Sequence, residues 1–203
     1  MRGRFLVMIA LAGLVSACSR PEGVARRDAR AAIARGDYRM KPPEAMSTTE
    51  SRRYGLAYNA IILTEQPFIT PTNPLEEAMV AMAKDPSREH TQAFETVLLR
   101  SKVYVLTNKE GLAAFKADPT KITFSTLPVD PGQPYAMVLY TSRARLHQAM
   151  HNDTRWYWLS MPGRTALATG RNHQVALNYG LRPPVYIEAK QVTSMLARTP
   201  PVP

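Results

Sequence analysis

Hydrophobic positions after residue 73 first recur with the period of a helix. Asn73 can cap a helix, Pro74 suits its first turn, and Glu76 occupies a capping-box position, so we predict that a helix begins here. Asp85-Pro86 repeats the cap-then-proline pattern and predicts the start of a second helix. The apolar faces of the two helices are formed by Leu75, Met79 and Met82 and by Phe94, Val97 and Leu98.

Further along, runs of β-branched and aromatic residues predict strands that alternate with short helices. A helix capped by Ser142, a helical turn over 163–170 and a closing helix over 189–197 separate these runs. Because helices and strands intermix, we predict an α+β (mixed α/β) fold, with one compact domain over 73–198 that has a central mixed sheet and flanking helices. Residues 199–203 form a proline-rich tail. The predicted strands cover residues 102–107, 122–124, 135–140, 156–159, 174–178 and 185–187.

The preceding residues, 18–72, are predicted to be a lipid-anchored flexible tether with a docking segment at its end. Residues 25–34 fit a short exposed helix, but they contain too few large apolar side chains to dock strongly. Residues 54–72 contain no Lys or Arg and fit either an alternating strand or a helix that packs on the domain. Periodicity leaves these two alternatives open.

The first eighteen residues have the pattern of an export signal. Arg2 and Arg4 precede an uncharged apolar stretch over 5–15, which is shorter than the roughly 20 residues that a membrane-spanning helix needs. Val15-Ser16-Ala17 before Cys18 resembles a bacterial lipobox, whose cysteine becomes the lipid-modified first residue of the mature protein. We therefore predict that residues 1–17 are removed and that Cys18 is lipidated. The alternative is a plain signal peptide with an incidental thiol.

The resemblance to bacterial lipoproteins implies a diacylglycerol and a further acyl chain such as palmitate, which together anchor stably. Ser19 stands where an aspartate would act as an inner-membrane retention signal in enteric-type bacteria, so the outer membrane, facing the periplasm, is favoured. With Cys18 modified no cysteine remains, which excludes disulfides, thiolate metal sites and a cysteine nucleophile.

The chain is strongly basic, with a formal net charge of +10 and a pI near 10.0. Residues 19–53 hold nine Lys or Arg against five acids. Such a segment beside a lipid anchor is attracted to anionic head groups by about 1 kcal/mol per basic residue. A merely solvated tether is the alternative, and nucleic-acid binding is disfavoured by the compartment that the anchor implies. The residues predicted to contact anionic lipid are Arg20, Arg26, Arg27, Arg30 and Arg35.

Two histidines and one serine are the strongest candidates for chemistry. His147 and His151 are four residues apart on a predicted helix, which suits a shared metal ion, but Gln148 stands where the zinc-protease motif has glutamate. Two helix-end histidines without a metal are therefore favoured. Ser142 follows a strand, but the chain has no G-x-S-x-G elbow, so a helix cap is favoured over a nucleophile.

Aromatic residues at 156–158 are the strongest candidates for binding. Trp156 and Trp158 share one side of a predicted strand. If exposed they would form a surface for a peptide, sugar or protein partner, and if buried they belong to the core, which is the favoured alternative. Ser142 and Asn178 are further candidate binding residues, although Asn178-Tyr179-Gly180 more readily forms a turn.

The order of short motifs after residue 73 is also informative. The motifs are Asn73-Pro74-Leu75-Glu76-Glu77-Ala78, Asp85-Pro86, Phe94, the run over 98–105, Tyr140-Thr141-Ser142 with Arg143, Arg145 and Leu146, Leu177-Asn178-Tyr179-Gly180, and the closing segment over 187–196. In this order they resemble the SseB protein N-terminal domain family over roughly residues 73–197. Family members typically have Phe-Thr-Ser and Leu-Asn-Pro, whereas Tyr140 and Tyr179 replace the phenylalanine and the proline here.

The resemblance implies a fold but little chemistry. The family is named for a serine-tolerance phenotype and has no established catalytic residue to carry over. Its members are mostly cytoplasmic, so a lipid anchor is a departure from it.

From the sequence we predict a non-enzymatic bacterial envelope protein, anchored by lipid, that presents this domain to an envelope protein partner and needs no cofactor. The alternative is a sensor of a small ligand, for example an amino acid, with a polar pocket near Ser142 and Asn178. An enzyme that uses His147 or His151 ranks last.

Overall fold

The computed structural model describes residues 21–41, 48–127, 135–150 and 156–198. The chain divides into two compact units, of which the first ends at Pro67 and the second begins at Phe68. Cys18, Arg20 and His151, together with the tail over 199–203, lie outside the described residues. No helix in the described ranges is both long enough and apolar enough to cross a bilayer.

The first unit contains two helices that pack on each other, α1 (Pro21–Ala34) and α2 (Thr49–Glu65). Their contact is stabilised by hydrogen bonds from Arg30 to Glu65, with Nη2–Oε1 at 2.9 Å and Nε–Oε2 at 3.1 Å. The Tyr54 hydroxyl donates a further bond to Asp28 at 3.0 Å. The buried apolar residues between the helices are Ala25, Ala29, Ala32, Tyr58 and Ile62.

The expectation that residues 25–34 dock weakly is therefore wrong. The three buried alanines lie on one face of α1, and their small side chains let the two helix backbones approach closely. Aromatic and aliphatic side chains of α2 then supply the apolar surface that α1 lacks. Two packed helices are therefore present where a flexible tether was expected. Of the two alternatives for residues 54–72, a strand or a helix, the first part of the segment forms a helix, α2.

The second unit is built on a mixed sheet. The strand order is β4-β1-β3-β5-β6, and β2 pairs with β3 beside this path. The β3–β5 pair is parallel, whereas the other pairs are antiparallel. The predicted α+β class with a central mixed sheet is confirmed. The elements are α3 (Pro74–Lys84), α4 (Arg88–Arg100), β1 (Lys102–Thr107), α5 (Lys109–Ala117), β2 (Thr126–Leu127), β3 (Ala136–Tyr140), α6 (Arg143–Met150), β4 (Tyr157–Pro162), α7 (Gly163–Thr169), β5 (Gln174–Leu177), β6 (Val185–Ile187) and α8 (Ala189–Arg198).

The two faces of this sheet are covered unequally. On the first face, side chains from α3, α4, α7 and α8 form the main core with alternate residues of the strands, and α5 packs against it through Leu112 and Phe115. On the second face, α6 is the one described helix that contributes, through Leu146, Ala149 and Met150. Because α6 has only eight residues, several large aromatic side chains around it stay half-buried. These are Tyr104, Trp156, Trp158 and Tyr179.

Two predictions are wrong, the cap of the second helix and the strand over 122–124, because residues near them form other hydrogen bonds. Asp85 ends α3, and Ser87 rather than Asp85 caps α4 by accepting a hydrogen bond from the His90 amide. Residues 122–124 do not form a strand. Two hydrogen bonds hold that segment to β1 instead. The Thr107 hydroxyl donates to the Thr123 carbonyl at 2.7 Å, and the Ser125 amide donates to the Leu106 carbonyl at 2.8 Å.

Helix α5 was not predicted from the sequence. Asn108 caps it by accepting a hydrogen bond from the Gly111 amide at 2.7 Å. A Cβ atom on Gly111 would collide with the Thr107 hydroxyl, so glycine is required for this close approach to β1. The glycine that weakens the helical pattern in the sequence is therefore what lets α5 pack here.

Replacing Ala29 by leucine tests the close contact between α1 and α2. Ala29 is 0% exposed, and overpacking a filled contact destabilises by about 1–3 kcal/mol. We expect Ala29→Leu to speed hydrogen exchange of the α1 and α2 amides in the full chain. Ala31→Leu, at an exposed position of the same helix, is the matched control and leaves exchange unchanged. Equal exchange in the two variants would contradict this packing.

Candidate functional site

The carboxylate of Glu76 lies at the start of α3 and is completely buried. Asn73 caps the helix through its Oδ1, which accepts a hydrogen bond from the Glu76 amide at 3.0 Å. Glu76 Oε2 reaches back to accept bonds from the amide and hydroxyl of Thr72, at 2.9 and 3.0 Å. In a capping box the glutamate side chain accepts a hydrogen bond from the amide of the cap residue, here Asn73. Glu76 instead accepts from Thr72, one residue earlier, and its side chain points into the domain.

Arg145 of α6 neutralises this carboxylate. Its Nε donates to Glu76 Oε1 at 3.1 Å and its Nη2 to Oε2 at 2.9 Å, which is a bidentate pair. The Arg145 side chain is only 12% exposed. It also donates to the Thr70 carbonyl and to Gln148 Oε1, so its remaining donors tie α6 to the segment before α3.

Thr141 and Asn178 complete the group of side chains around the buried carboxylate, which we call the Glu76 network (Thr72, Glu76, Thr141, Arg145 and Asn178). The Thr141 hydroxyl donates to Glu76 Oε1 at 2.7 Å and accepts a bond from Asn178 Nδ2 at 3.1 Å. Asn178 Oδ1 accepts a bond from the Thr141 amide at 3.0 Å. The network thus joins the ends of the parallel strands β3 and β5 to the starts of α3 and α6.

The backbone of Asn178 has a left-handed conformation, with φ at 55°. Asparagine tolerates this region better than most residues with a side chain. The Asn178 amide donates to the Leu139 carbonyl at 2.8 Å, and its own carbonyl accepts from Leu181 at 2.9 Å. The turn predicted at this position is present, and it directs the side-chain amide inward to Thr141.

The Glu76 carboxylate is held in its charged form. Burial raises its pKa, but the hydrogen bonds from Arg145, Thr141 and Thr72 outweigh that effect and lower the pKa to about 2. A carboxylate that is ionised and saturated with five donated hydrogen bonds is a poor general base. The network therefore holds elements together rather than presenting a reactive group.

A second group of side chains, the Trp158 patch (Arg143, His147 and Trp158), lies where α6 meets β4 on the second face of the sheet. The Arg143 guanidinium lies over the Trp158 ring, 5.2 Å from its centroid. The His147 ring meets Trp158 edge-on at the same centroid distance, 5.2 Å. Arg143 Nε donates a hydrogen bond to His147 Nε2 at 3.1 Å, so Nε2 is the acceptor in this arrangement.

The candidate binding residues from the sequence, Trp156, Trp158, Ser142 and Asn178, do not form one surface in the structure. Trp156 and Trp158 are both half-buried on the second face of the sheet. Ser142 caps α6, because its hydroxyl accepts a hydrogen bond from the Arg145 amide at 3.2 Å. Asn178 is 0% exposed and belongs to the Glu76 network.

His147 contacts Trp158 and Arg143, and His151 lies outside the described residues. Across the described part of the chain, no group of three or more His, Cys, Asp or Glu side chains could hold a metal ion.

Sequence reasoning missed Glu76, Arg145 and Arg143 as site residues. The capping-box position of Glu76 was a usable signal, because a glutamate at that position points back along the chain. Arg143 and Arg145 stood inside the motif that follows β3, but their opposite directions are visible only once α6 is in place.

Comparison with known proteins identifies one family. A family model described as the SseB protein N-terminal domain matches residues 75–194. No curated protein and no solved structure matches the chain. The matched range contains Glu76, Thr141, Arg145 and Asn178, so most of the Glu76 network lies within it.

Replacing Glu76 by glutamine tests the network. Breaking a buried ion pair from one side costs about 3–5 kcal/mol, so we expect the free energy of unfolding at pH 7 to fall by that amount. The wild-type advantage is fully present above pH 4.5, the ordinary pKa of the carboxyl, and disappears as the pH falls toward 2, the folded pKa. Urea unfolding of wild type and Glu76→Gln between pH 7 and pH 2 measures the difference.

The matched control is Glu77→Gln, because Glu77 is the neighbouring exposed carboxylate of the same helix. We expect its unfolding free energy to follow wild type at every pH. If Glu76→Gln and wild type differ by a constant amount over the acid range, the buried carboxylate is not the charge that stabilises this fold.

Proposed function

The chain belongs to the SseB protein N-terminal domain family, and we propose that it is a member of that family anchored by lipid in the bacterial envelope, where it acts by binding another protein. It works as an interaction module and not as an enzyme. The domain is presented on the periplasmic side of the membrane, with the outer membrane favoured by Ser19 after the anchor.

The unequal cover of the sheet is the observation that carries the interaction role. Five helices pack on the first face, whereas α6 alone among the described helices packs on the second. Trp156 and Trp158 therefore stay half-buried beside one another instead of being enclosed in the core. Half-exposed tryptophans with a neighbouring arginine are the residue types that dominate the energetics of protein interfaces.

The bonding of the polar side chains supports a role without catalysis. Ser142 caps α6, and the Glu76 carboxylate is saturated by its five donors. His147 Nε2 is occupied by Arg143. The groups that sequence reasoning offered for chemistry are therefore engaged in bonds that hold the fold or the Trp158 patch.

The position of α1 supports the membrane part of the proposal. The helix begins at Pro21, three residues after Cys18, so an anchor at Cys18 keeps it close to the head groups. Its alanine face is buried against α2, and Arg26, Arg27 and Arg35 are exposed. Arg30 pairs with Glu65, which makes it a weaker contact for anionic lipid than the other three.

Cys18→Ser tests the anchor. We expect the variant either to appear in the soluble fraction of the envelope or to remain as an unprocessed precursor, because lipid attachment needs the thiol. Ser19→Ala is the control, because it leaves the cysteine in place and keeps the protein with the membranes. If the Cys18→Ser protein is processed and fractionates like wild type, the lipoprotein proposal fails.

Site-directed photo-crosslinking tests the interaction. A photoreactive residue at Ala144, which is exposed on α6 beside Arg143, should yield one discrete adduct in intact cells. The matched position is Gln92, exposed on α4, and it should yield no such adduct. The same adducts from both positions, or none from Ala144, would contradict a binding surface on the second face.

A further inference from the structure

The strand β4 (Tyr157–Pro162) lies at one end of the sheet and pairs with a strand on one side only. Its six residues are in register with β1, from Lys102↔Pro162 to Thr107↔Tyr157. Among the described residues it pairs with no other strand. Half of the N–H and C=O groups of a strand paired on one side point away from the neighbour, so β4 has a row of backbone groups directed outward.

The residues of this edge strand give it little protection against added strands. Edge strands are commonly blocked by charged side chains, by proline or by brief length. Residues 157–161 contain no charged residue, and the single proline, Pro162, stands at the last position. The opposite edge strand, β6, has only three residues. The longer and less protected edge is therefore the one beside the Trp158 patch.

Arg143 supplies a positive charge at this edge. Other arginines pair with carboxylates, namely Arg27 with Asp28, Arg30 with Glu65, Arg39 with Asp37, Arg145 with Glu76 and Arg198 with Glu95. In the described part of the chain Arg143 contacts the Trp158 ring and donates one hydrogen bond to His147, and no carboxylate pairs with it. Its remaining N–H donors are suited to a carboxylate of another molecule.

Charge also distinguishes between the two classes of partner that could add a strand. Residues 68–203 hold fifteen Lys or Arg against ten Asp or Glu, so two copies of this unit repel each other. Pairing of β4 with β4 of a second copy would also bring a second Arg143 toward the first. An acidic partner is attracted by the same charges.

We infer that β4 accepts an extended, acidic segment of a partner protein as an added strand, with a carboxylate of that segment bound to Arg143 beside Trp158. Backbone hydrogen bonds along residues 157–161 supply affinity, and the Trp158 patch selects for negative charge. This inference rests on the proposed function and specifies the chemistry of its partner.

Three nine-residue peptides test the inference against the full mature chain with Cys18→Ser. The first alternates valine and glutamate, the second alternates valine and lysine, and the third is the glutamate peptide N-methylated at every backbone nitrogen, so that neither of its edges can donate a hydrogen bond to a strand. We expect only the first to shift the amide resonances of residues 157–161 in an NMR titration. Binding of the lysine or N-methylated peptide with equal affinity overturns the inference, as does no binding of the first.

Arg143→Gln should weaken binding of the glutamate peptide about ten-fold, because a charge-assisted contact is lost. Arg88→Gln is the matched control, at an exposed arginine of α4 away from the patch, and leaves the affinity unchanged.

Sedimentation of the same protein without peptide should show a monomer. A dimer that becomes stronger in Arg143→Gln would identify a second copy of this chain as the occupant. If the Ala144 adduct forms but the peptides do not bind, this inference fails while the interaction role stands.

Discussion

The ion pair between Glu76 and Arg145 is the contact on which the second unit depends. A buried carboxylate is expensive to desolvate, and here five donated hydrogen bonds, two of them from one guanidinium, offset that penalty. The donors come from the segment before α3, from the end of β3 and from α6, and Asn178 links the end of β5 through Thr141. Elements far apart in the sequence are thereby held at one end of the parallel strand pair.

The same residues belong to the short motifs through which the sequence resembles its family. Three separate strings in the sequence meet around one carboxylate. They contribute Asn73 with Glu76, Thr141 with Arg145, and Asn178. Each string looks weak alone because its residue types are common in caps and turns. Their order and spacing are informative because the fold brings them together. These motifs therefore specify an arrangement of helices and strands.

Regular elements with a clear period were predictable, and contacts between elements were not. Strands such as 102–107 and the caps at Asn73 and Ser142 follow from local chemistry. The docking of α1 was missed because alanines were counted as poor contact residues, although a stripe of them permits close approach. The inward turn of Glu76 was missed because a capping glutamate and a buried one have the same local sequence. Trp158 stays half-buried because the short helix α6 covers only part of the second face. The residues next to Trp158 in the sequence do not show this.

Helix α6 connects the buried network to the exposed patch. Arg145 points inward and is held by Glu76, whereas Arg143, two residues earlier, lies over Trp158 on the second face of the sheet. Residues two apart on a helix point in different directions, so fixing Arg145 also fixes the rotation of the helix that presents Arg143. Ser142 sets the start of this helix, and Leu146 anchors its apolar side among the residues of β1 and β3. A short helix with so few apolar contacts needs a strong polar contact to hold its orientation. The buried charge at Glu76 thus has a consequence at the surface, because it determines where the guanidinium of Arg143 lies relative to the edge strand β4.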